Sequence, residues 1–219
     1  MDVLIVSRTV MGARRCIGGV CVDTLDSVRL LREDGNNQYY DSLYQIGQVW
    51  QLNASRVIDP RAPHVEDLLV KGGRMIHDGV SISNSVDANW DALSRAGRCW
   101  DRELGQTFGG NLGFTGNGSG YINEHHMPSV STGFWKADRP LSRADDSKKV
   151  RFAYGKAWLR RLITYVGDAP APTAIPRGSL CRLSLARWWS PENSDMEERC
   201  YLQLSGVYPP GFSARMQPA

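Results

Sequence analysis

Near its end the chain runs RLSLARWWSPENSDMEERCYLQLSGVY, from Arg182 to Tyr208. Leucines alternate with polar residues on both sides of the acidic stretch SPENSDMEE, which is typical of two half-buried strands joined by a loop. The alternation places Leu183 and Leu185 on the inward face of the first strand, and it leaves Arg182 on the other face. Both flanking segments are therefore predicted to be half-buried strands.

Outward from this stretch, the rest of the chain is also rich in short β-type segments. VLIVSRTV, GVCVD, SVRLLRE, YQIGQVWQLNASRVI and EDLLVKGGRMI come first, and STGFWKADRPL and KVRFAYGKAWLRRLITYVGD follow a stretch dense in Gly, Asn and Ser. Residues that favour turns separate many of these segments. The order of the segments favours a β-dominated protein built from small barrels.

One segment, SNSVDANWDALSRAGRCWDRELG, has helical periodicity instead. Asn84 or Ser85 can cap its start, and Gly105 is a plausible end. Its large apolar residues recur on one face of a helix, and they are Trp90, Leu93, Trp100 and Leu104. The pattern predicts one main α-helix between two groups of strands.

Composition limits the classes of function. The chain has 219 residues with 42% hydrophobic and 22% charged, and its formal net charge is only +3. Such a charge does not hold a protein on nucleic acid by itself, so a nucleic-acid site would have to be a local patch. The five cysteines form no C-x-x-C pair, and no apolar run is long enough for a membrane span. We therefore expect a cytoplasmic protein with reduced thiols, no metal, no cofactor and no membrane association.

The order of the segments resembles a known family. The pieces are IVSRTVMG, CIGGVCVD, VRLLREDG, IGQVWQL, PHVEDLLV, GSGYINE, TGFWKADRPL, VGD, IPRGSLCRLSLARWW and ERCYLQLSGVY. From Val3 to Tyr208 they resemble the bacterial dual OB domain-containing protein family. The resemblance implies two tandem oligonucleotide-binding (OB) barrels, each of five strands. It implies no established reaction, and such proteins are expected in bacterial defence systems.

Together these observations predict a mainly β fold of two tandem OB-like small β-barrels, with one main α-helix plugging or bridging them. The predicted divisions are a first barrel at 1–84, a helix and glycine-rich linker at 85–114, a second barrel at 115–210 and a flexible C-terminal tail at 211–219. Function does not follow from such a fold, so the candidate sites have to be considered separately.

The adjacent residues Trp188 and Trp189 cannot both enter one core, because neighbouring strand residues face opposite ways. Continued alternation would also turn Arg187 inward, so a bulge between Ala186 and Trp188 is expected. The acidic loop that follows would repel phosphates. We therefore interpret the tryptophan pair as packing between the two barrels and not as a platform for nucleic-acid bases.

The motif PHVEDL brings His64, Glu66 and Asp67 within four residues. Carboxylates and a histidine are what a metal-dependent nuclease needs around a divalent cation, so the three residues are a candidate metal or ligand site. In a strand, His64 and Glu66 would share one face and Asp67 would take the other. The alternative is a loop after Pro63 whose polar groups satisfy backbone donors or pair with arginine.

The segment KKVRFAYGKAWLRRLITY interleaves basic and aromatic residues, the combination that single-stranded nucleic acid needs. Its candidate binding residues are Lys148, Lys149, Arg151, Tyr154, Lys156, Trp158, Arg160 and Arg161. A second, thinner basic set is Arg14 and Arg15 beside the first turn. The alternative for the segment is a strand with an aromatic core face and a solvated basic face.

The leading hypothesis is a non-enzymatic protein that binds single-stranded or structured DNA or RNA. A protein-interaction or scaffold module, with a partner encoded nearby, is the second hypothesis, and the tryptophans would then be its anchors. A metal-dependent nuclease using His64, Glu66 and Asp67 is the third.

Overall fold

The computed structural model describes residues 1–78, 99–146, 149–156, 159–193 and 195–209. Short strands dominate these residues, and they form two curled sheets. The strands of the first sheet are β1 (Asp2–Met11), β2 (Arg14–Cys21), β3 (Ser27–Arg32), β4 (Gln38–Tyr39), β5 (Val49–Arg56) and β6 (Asp67–His77). Each predicted β-segment before residue 78 is thus a strand.

The first sheet closes into a barrel of five strands. β1 pairs with β2, β2 with β3, β3 with β6, β6 with β5, and β5 returns to β1. All of these pairings are antiparallel except β3 with β6, which is parallel. This is the strand order of an OB barrel, in which the third strand lies beside the fifth. Gly12 makes the tight β1–β2 turn at a φ of 62°.

The second sheet is a curled half-barrel. Its strands are β7 (Cys99–Trp100), β8 (Gly113–Phe114), β9 (Gly120–Ile122), β10 (Thr132–Lys136), β11 (Leu141–Arg143), β12 (Arg151–Tyr154), β13 (Arg161–Tyr165), β14 (Ala174–Ile175), β15 (Leu180–Leu185) and β16 (Cys200–Tyr208). β15 and β16 are the two strands expected from the alternating leucines.

The pairings of the second sheet repeat the order of the first when β10 and β11 are taken as two halves of one broken strand. β11 pairs with β12, β12 with β13, β13 with β16, β16 with β15, and β15 returns to β10. Here too the pair formed by the third and fifth strands, β13 with β16, is parallel. The chain therefore contains two units with one strand order.

Three hydrophobic clusters stabilise this arrangement. The first barrel encloses Ile5, Ile17 and Leu30, and the second encloses Trp135 and other large side chains. A third cluster lies between the two units and includes Leu4, Val6, Val49, Phe134 and Tyr208. The outer face of each barrel is thus partly buried by the other, so strand alternation alone does not tell which residues meet water.

Within the described residues the predicted main helix is not found. Of the segment that carries the helical pattern, residues 83–98 lie outside those residues. Its end is not α-helical: Cys99–Trp100 is strand β7, which pairs with β10, and Leu104–Gln106 is a single 3₁₀ turn. Trp100 packs on Phe108, with 4.5 Å between the ring centroids. Contacts with β10 and with a neighbouring turn thus decide the conformation here, and not the helical spacing.

The predicted linker at 85–114 contributes β7 and β8 to the second sheet, and the predicted tail at 211–219 lies outside the described residues. The proposed division of the chain at these boundaries stays a prediction. Within the described residues the structure contains no helix with the length and apolar character that a membrane crossing requires.

Candidate functional site

His64, Glu66 and Asp67 lie where the two barrels meet, and we call them the inter-barrel joint. His64 and Glu66 belong to the turn before β6, and Asp67 is the first residue of that strand. Their exposed fractions are 1%, 4% and 4%. His64 and Glu66 thus lie in a turn and not in a strand, and residues of the second barrel contact all three side chains.

Glu66 accepts three hydrogen bonds across the joint. The backbone N–H of Ser131 donates to Oε1 at 2.5 Å, and its hydroxyl donates to Oε2 at 2.8 Å. The N–H of Thr132 also donates to Oε1, at 3.1 Å. These two residues begin β10 of the second barrel, so this carboxylate satisfies backbone donors that would otherwise be buried without a partner.

Asp67 binds one arginine from each barrel. Nε of Arg29, on β3, lies 2.5 Å from Oδ1, and a terminal nitrogen of Arg187 lies 2.6 Å from Oδ2. The Asp67 side chain is only 5% exposed. Two charge-assisted hydrogen bonds in a site with little water make this carboxylate a strong link between the barrels.

His64 completes the joint as a neutral ring. Its Nδ1 lies 3.0 Å from Nη2 of Arg29, which can only donate, so Nδ1 is the acceptor and the proton sits on Nε2. Nε2 points toward the sulfur of Cys200 at 3.8 Å. Burial, and then the charges of Arg29 and Arg187, lower the pKa of His64 from 6.5 to about 3.

The joint is occupied by its own hydrogen bonds and ion pairs. Within the described ranges no group of three or more His, Cys, Asp or Glu side chains is placed to hold a metal ion. The alternative interpretation of PHVEDL, polar groups that satisfy backbone donors and pair with arginine, describes what Glu66 and Asp67 do. The geometry therefore gives no support to a nuclease centred on His64.

The tryptophan pair is divided between the joint and the surface. Trp188 is half-buried, and its indole N–H donates to the carbonyl of Ala62 in the first barrel at 2.8 Å. Trp189 is 53% exposed and rests against Tyr201, so the expectation that both pack between the barrels is wrong for Trp189. Tyr201, whose ring centroid lies 6.0 Å from that of Trp189, is on β16 of the second barrel.

A bulge lies between Ala186 and Trp189, close to the expected position. The N–H of Ala186 bonds to the carbonyl of Tyr201, whereas Trp189 already pairs with Arg199. Three steps along one strand thus oppose two along the other, which is the one-residue excess of a β-bulge. The bulge lets Arg187 reach Asp67, while the side chain of Arg187 stays 48% exposed.

Replacing Trp188 and Trp189 separately should lower the free energy of unfolding by unequal amounts. Trp188→Ala removes a hydrogen bond and apolar contact between the barrels, so we expect the free energy of unfolding to fall by about 2 kcal/mol. Trp189→Ala, an exposed neighbour, is the matched control and should cost about 0.5 kcal/mol or less. Urea unfolding of both variants measures this, and equal losses would contradict the assignment of Trp188 to the joint.

The basic and aromatic segment forms β12, β13 and the turn between them. Lys148 and Trp158 lie outside the described residues. Lys149, Lys156 and Arg160 are exposed, and Arg151 and Arg161 are half-buried. β12 and β13 take the places of the second and third strands of an OB barrel, the face with which OB folds bind oligonucleotides.

Beside this turn lies an open groove of about 930 Å³, which we call the basic groove. Its lining includes Tyr154, Lys156 and Arg161 from the predicted segment, and Phe114 and Arg139 from outside it. The guanidinium of Arg161 lies over the Phe114 ring at 4.3 Å, and that of Arg139 lies over the Tyr154 ring at 4.7 Å. Arginines therefore stack on aromatic rings on two sides of the groove.

Some of the cations near the groove form ion pairs with carboxylates and others do not. Arg139 pairs with Glu103 and Asp138, Arg143 with Asp145, and Arg151 with Asp146. Among the carboxylates of the described residues, none forms an ion pair with Lys156, Arg160 or Arg161. Lys156 and Arg161 line the groove, and Arg160 is exposed next to Arg161 in the chain, so these three cations are available for an external anion.

Tyr154 differs from the expected stacking platform. It is only 8% exposed, and its ring packs edge-on against Trp135 at 5.8 Å. Burial raises the pKa of Tyr154 to about 12, so its hydroxyl stays protonated and donates to Asp138 at 3.1 Å. Its ring is a wall of the groove and not a free surface on which a base could lie.

Arg15 is also engaged inside the protein, whereas Arg14 is half-buried at the surface. Arg15 is 4% exposed, binds Asp168 of the second barrel at 3.1 Å and lies 3.8 Å above the Tyr40 ring. Arg14 donates to the carbonyl of Asn37 at 3.4 Å. Of this pair only Arg14 keeps a position from which it could meet a phosphate.

Phe114 and Arg139 were not anticipated from the sequence. Phe114 lies in the glycine-rich stretch before β9, and Arg139 lies in the break between β10 and β11. Neither is near the basic segment in sequence, and no spacing links them to it. Only the closure of the second barrel brings the two side chains to the groove.

Comparison with solved structures gives likenesses in fold. A murine DNA-binding protein solved with double-stranded DNA aligns over 95% of this chain and 92% of its own, with 10% identity and a TM-score of 0.34. So distant a likeness carries no argument about function. No curated protein matches the chain. The family model described as dual OB-containing domain matches residues 1–207, which is nearly the whole chain. With its two units of one OB strand order, the chain belongs to the dual OB-containing domain family.

Proposed function

We propose that the protein binds single-stranded or structured nucleic acid at the basic groove, without catalysing a reaction. The observation that carries this proposal is that Lys156 and Arg161 line the groove, Arg161 over the Phe114 ring, with no ion pair to a carboxylate of the described residues, and that the exposed Arg160 precedes Arg161 in the chain. They lie at the second and third strands of the second barrel, where OB folds bind oligonucleotides. The net charge of +3 is compatible with such a local site.

The groove offers both kinds of contact that a single strand requires. Lys156 and Arg160 can neutralise phosphates, and the layered Arg161 and Phe114 present a flat guanidinium to an unstacked base. Glu103 and Asp138 also lie here, but Arg139 pairs with both, at 3.1 Å and 2.9 Å, and so offsets their repulsion of phosphate. Stacking of one base contributes about 1–3 kcal/mol.

The double variant Arg160→Ala with Arg161→Ala tests the groove. Each lost phosphate contact lowers the slope of log affinity against log salt by about 0.7 for a single strand, so the pair should lower it by roughly 1.4. Affinity at moderate salt should fall by about tenfold or more. Fluorescence anisotropy with a labelled single-stranded oligonucleotide at several salt concentrations measures both quantities.

The matched control is Lys71→Ala with Arg74→Ala, which removes the same charge from exposed positions on β6 of the first barrel. We expect that control to retain the salt slope of the unsubstituted protein. An equal loss in the control would reject the groove as the site, and absence of binding at low salt would reject the function.

A protein-interaction module is the second candidate, because the first barrel also exposes large apolar side chains. Tyr39 is 56% exposed, Tyr40 64% and Leu43 75%, and Trp189 adds an exposed ring on the second barrel. Exposed aromatic residues are typical anchors of interfaces. Co-purification with the product of a neighbouring gene, without nucleic-acid absorbance, would favour this function over the first.

We further propose a cytoplasmic location. All five cysteines are described, and all are free thiols, as expected in a reducing compartment. The expected association with bacterial defence systems stays a prediction that gene neighbourhood can test.

A further inference from the structure

Arg182, on β15, is a fully buried cation outside the inter-barrel joint. Strand alternation turns it away from the core of the second barrel, but the first barrel covers that face and leaves the side chain only 1% exposed. Gly18 on β2 makes this possible, because a Cβ there would lie 3.1 Å from Arg182 Nε and 2.3 Å from Ser7 Oγ. The close approach of the two barrels at Gly18 therefore encloses a guanidinium.

The guanidinium is incompletely satisfied by the protein. One terminal nitrogen donates to the hydroxyl of Ser27 at 3.3 Å, and the group lies 5.2 Å from the centroid of the Phe134 ring. Its Nε is buried and has no hydrogen-bond partner among the described residues. Burial lowers the pKa of Arg182 to about 10, so the side chain remains charged at neutral pH.

A cavity of about 50 Å³ between the barrels adjoins this side chain. Its lining includes hydroxyl-bearing residues of both barrels, which are Ser7, Thr9, Ser131, Thr132, Ser184 and Ser205. Four of these hydroxyls already donate to acceptors in the protein, and those of Ser7 and Ser184 donate to none among the described residues. One water needs about 10–15 Å³ of such space, so the cavity has room for roughly three to five heavy atoms. A phosphate or sulfate ion, with its central atom and four oxygens, is at the upper end of that range, and a nucleoside is too large.

The charges around the cavity favour an anion. Arg29 and Arg187 line it together with Arg182, which gives three cations. The neighbouring carboxylates are Glu66 and Asp67, and their oxygens already bind other donors. Asp67 pairs with both Arg29 and Arg187. No carboxylate of the described residues forms an ion pair with the buried Arg182, and a buried charge without a direct counter-charge is costly.

We propose that this cavity binds a phosphate-sized oxyanion, whose oxygens accept hydrogen bonds from Nε of Arg182 and from the hydroxyls of Ser7 and Ser184. Met11 and Arg187, both exposed, lie at the rim and mark where an ion enters. The phosphate belongs either to the free ion or to the terminal phosphate of an oligonucleotide. The site is separate from the basic groove, and it does not depend on the proposed nucleic-acid binding.

The melting temperature of the full chain in inorganic phosphate, against sodium chloride of equal ionic strength, tests the proposal. We expect a saturable rise of roughly 5 °C that chloride does not produce. No rise specific to phosphate would overturn the proposal. If a 5′-phosphorylated oligonucleotide raises the melting temperature more than the same oligonucleotide with a 5′-hydroxyl, the terminal phosphate is the source. If the two oligonucleotides raise the melting temperature equally, the free ion is the source.

Two substitutions assign the effect to the cavity. Arg182→Met should abolish the phosphate-dependent rise, while Arg177→Met, at an exposed arginine of the same barrel, should retain it. If Arg182→Met does not fold, Ser7→Ala takes its place and should weaken phosphate binding severalfold, because it removes one hydroxyl beside Nε. A rise that survives both Arg182→Met and Ser7→Ala would place the ion elsewhere and overturn the proposal.

Discussion

Asp67→Asn is expected to lower the free energy of unfolding by about 3–5 kcal/mol, because it breaks a buried ion pair from one side only. The substitution keeps the shape of the side chain but leaves Arg29, whose side chain is 13% exposed, without its counter-charge. Arg187 loses the contact that ties the second barrel to the first. Urea or guanidinium unfolding measures the change.

Asp145→Asn is the matched control for this prediction. Asp145 also pairs with an arginine, Arg143, at 2.6 Å, but both side chains are more than a third exposed. Exposed pairs contribute about 0–1 kcal/mol, so this variant should be close to the unsubstituted protein. A loss below about 1 kcal/mol in Asp67→Asn would show that the joint is not a buried electrostatic link.

Lowering the pH from 7 to 5 should destabilise the protein through His64. The pKa of His64 is about 3 in the folded protein and 6.5 in the unfolded chain. Between these values the unfolded chain binds a proton that the folded protein does not, so stability falls as the pH falls. The slope is about 1.4 kcal/mol per pH unit, and this group alone should cost about 2 kcal/mol between pH 7 and pH 5.

Unfolding free energies of the protein and of His64→Gln at pH 7, 6 and 5 measure this effect. Glutamine does not titrate, so His64→Gln should lose the decline over this window even if it is less stable throughout. His126→Gln, at an exposed histidine, is the control and should retain the decline. Parallel pH profiles for the protein and His64→Gln would contradict a buried neutral His64.

The strands could be predicted because their signal is local. Leu183 and Leu185 alternate with polar residues over a few positions, and that pattern suffices to place them in a core. The bulge near Trp188 followed from the same alternation. Trp100 shows the limit of this approach, since it fits a helical spacing but lies on a strand whose conformation is decided by pairing with β10.

The environment of individual polar residues could not be predicted, because their partners are distant in sequence. Arg182 lies on the face that alternation assigns to it, yet that face is covered by the first barrel. Glu66 finds its donors at Ser131 and Thr132, and nothing in PHVEDL indicates them. The basic segment was recognisable by composition, but the sequence does not show that Arg151 already pairs with Asp146 or that Arg161 stacks on Phe114.

The partners of the joint also fix an order of events during synthesis. Glu66 emerges from the ribosome 65 residues ahead of Ser131, and Asp67 emerges 120 residues ahead of Arg187. Tyr208, which donates to the carbonyl of Val6, comes almost at the end of the described chain. The N-terminal barrel is thus made first, but its buried carboxylates gain their partners only when the C-terminal barrel follows. Nascent chains therefore acquire full stability late, and the two barrels mature as one cooperative unit.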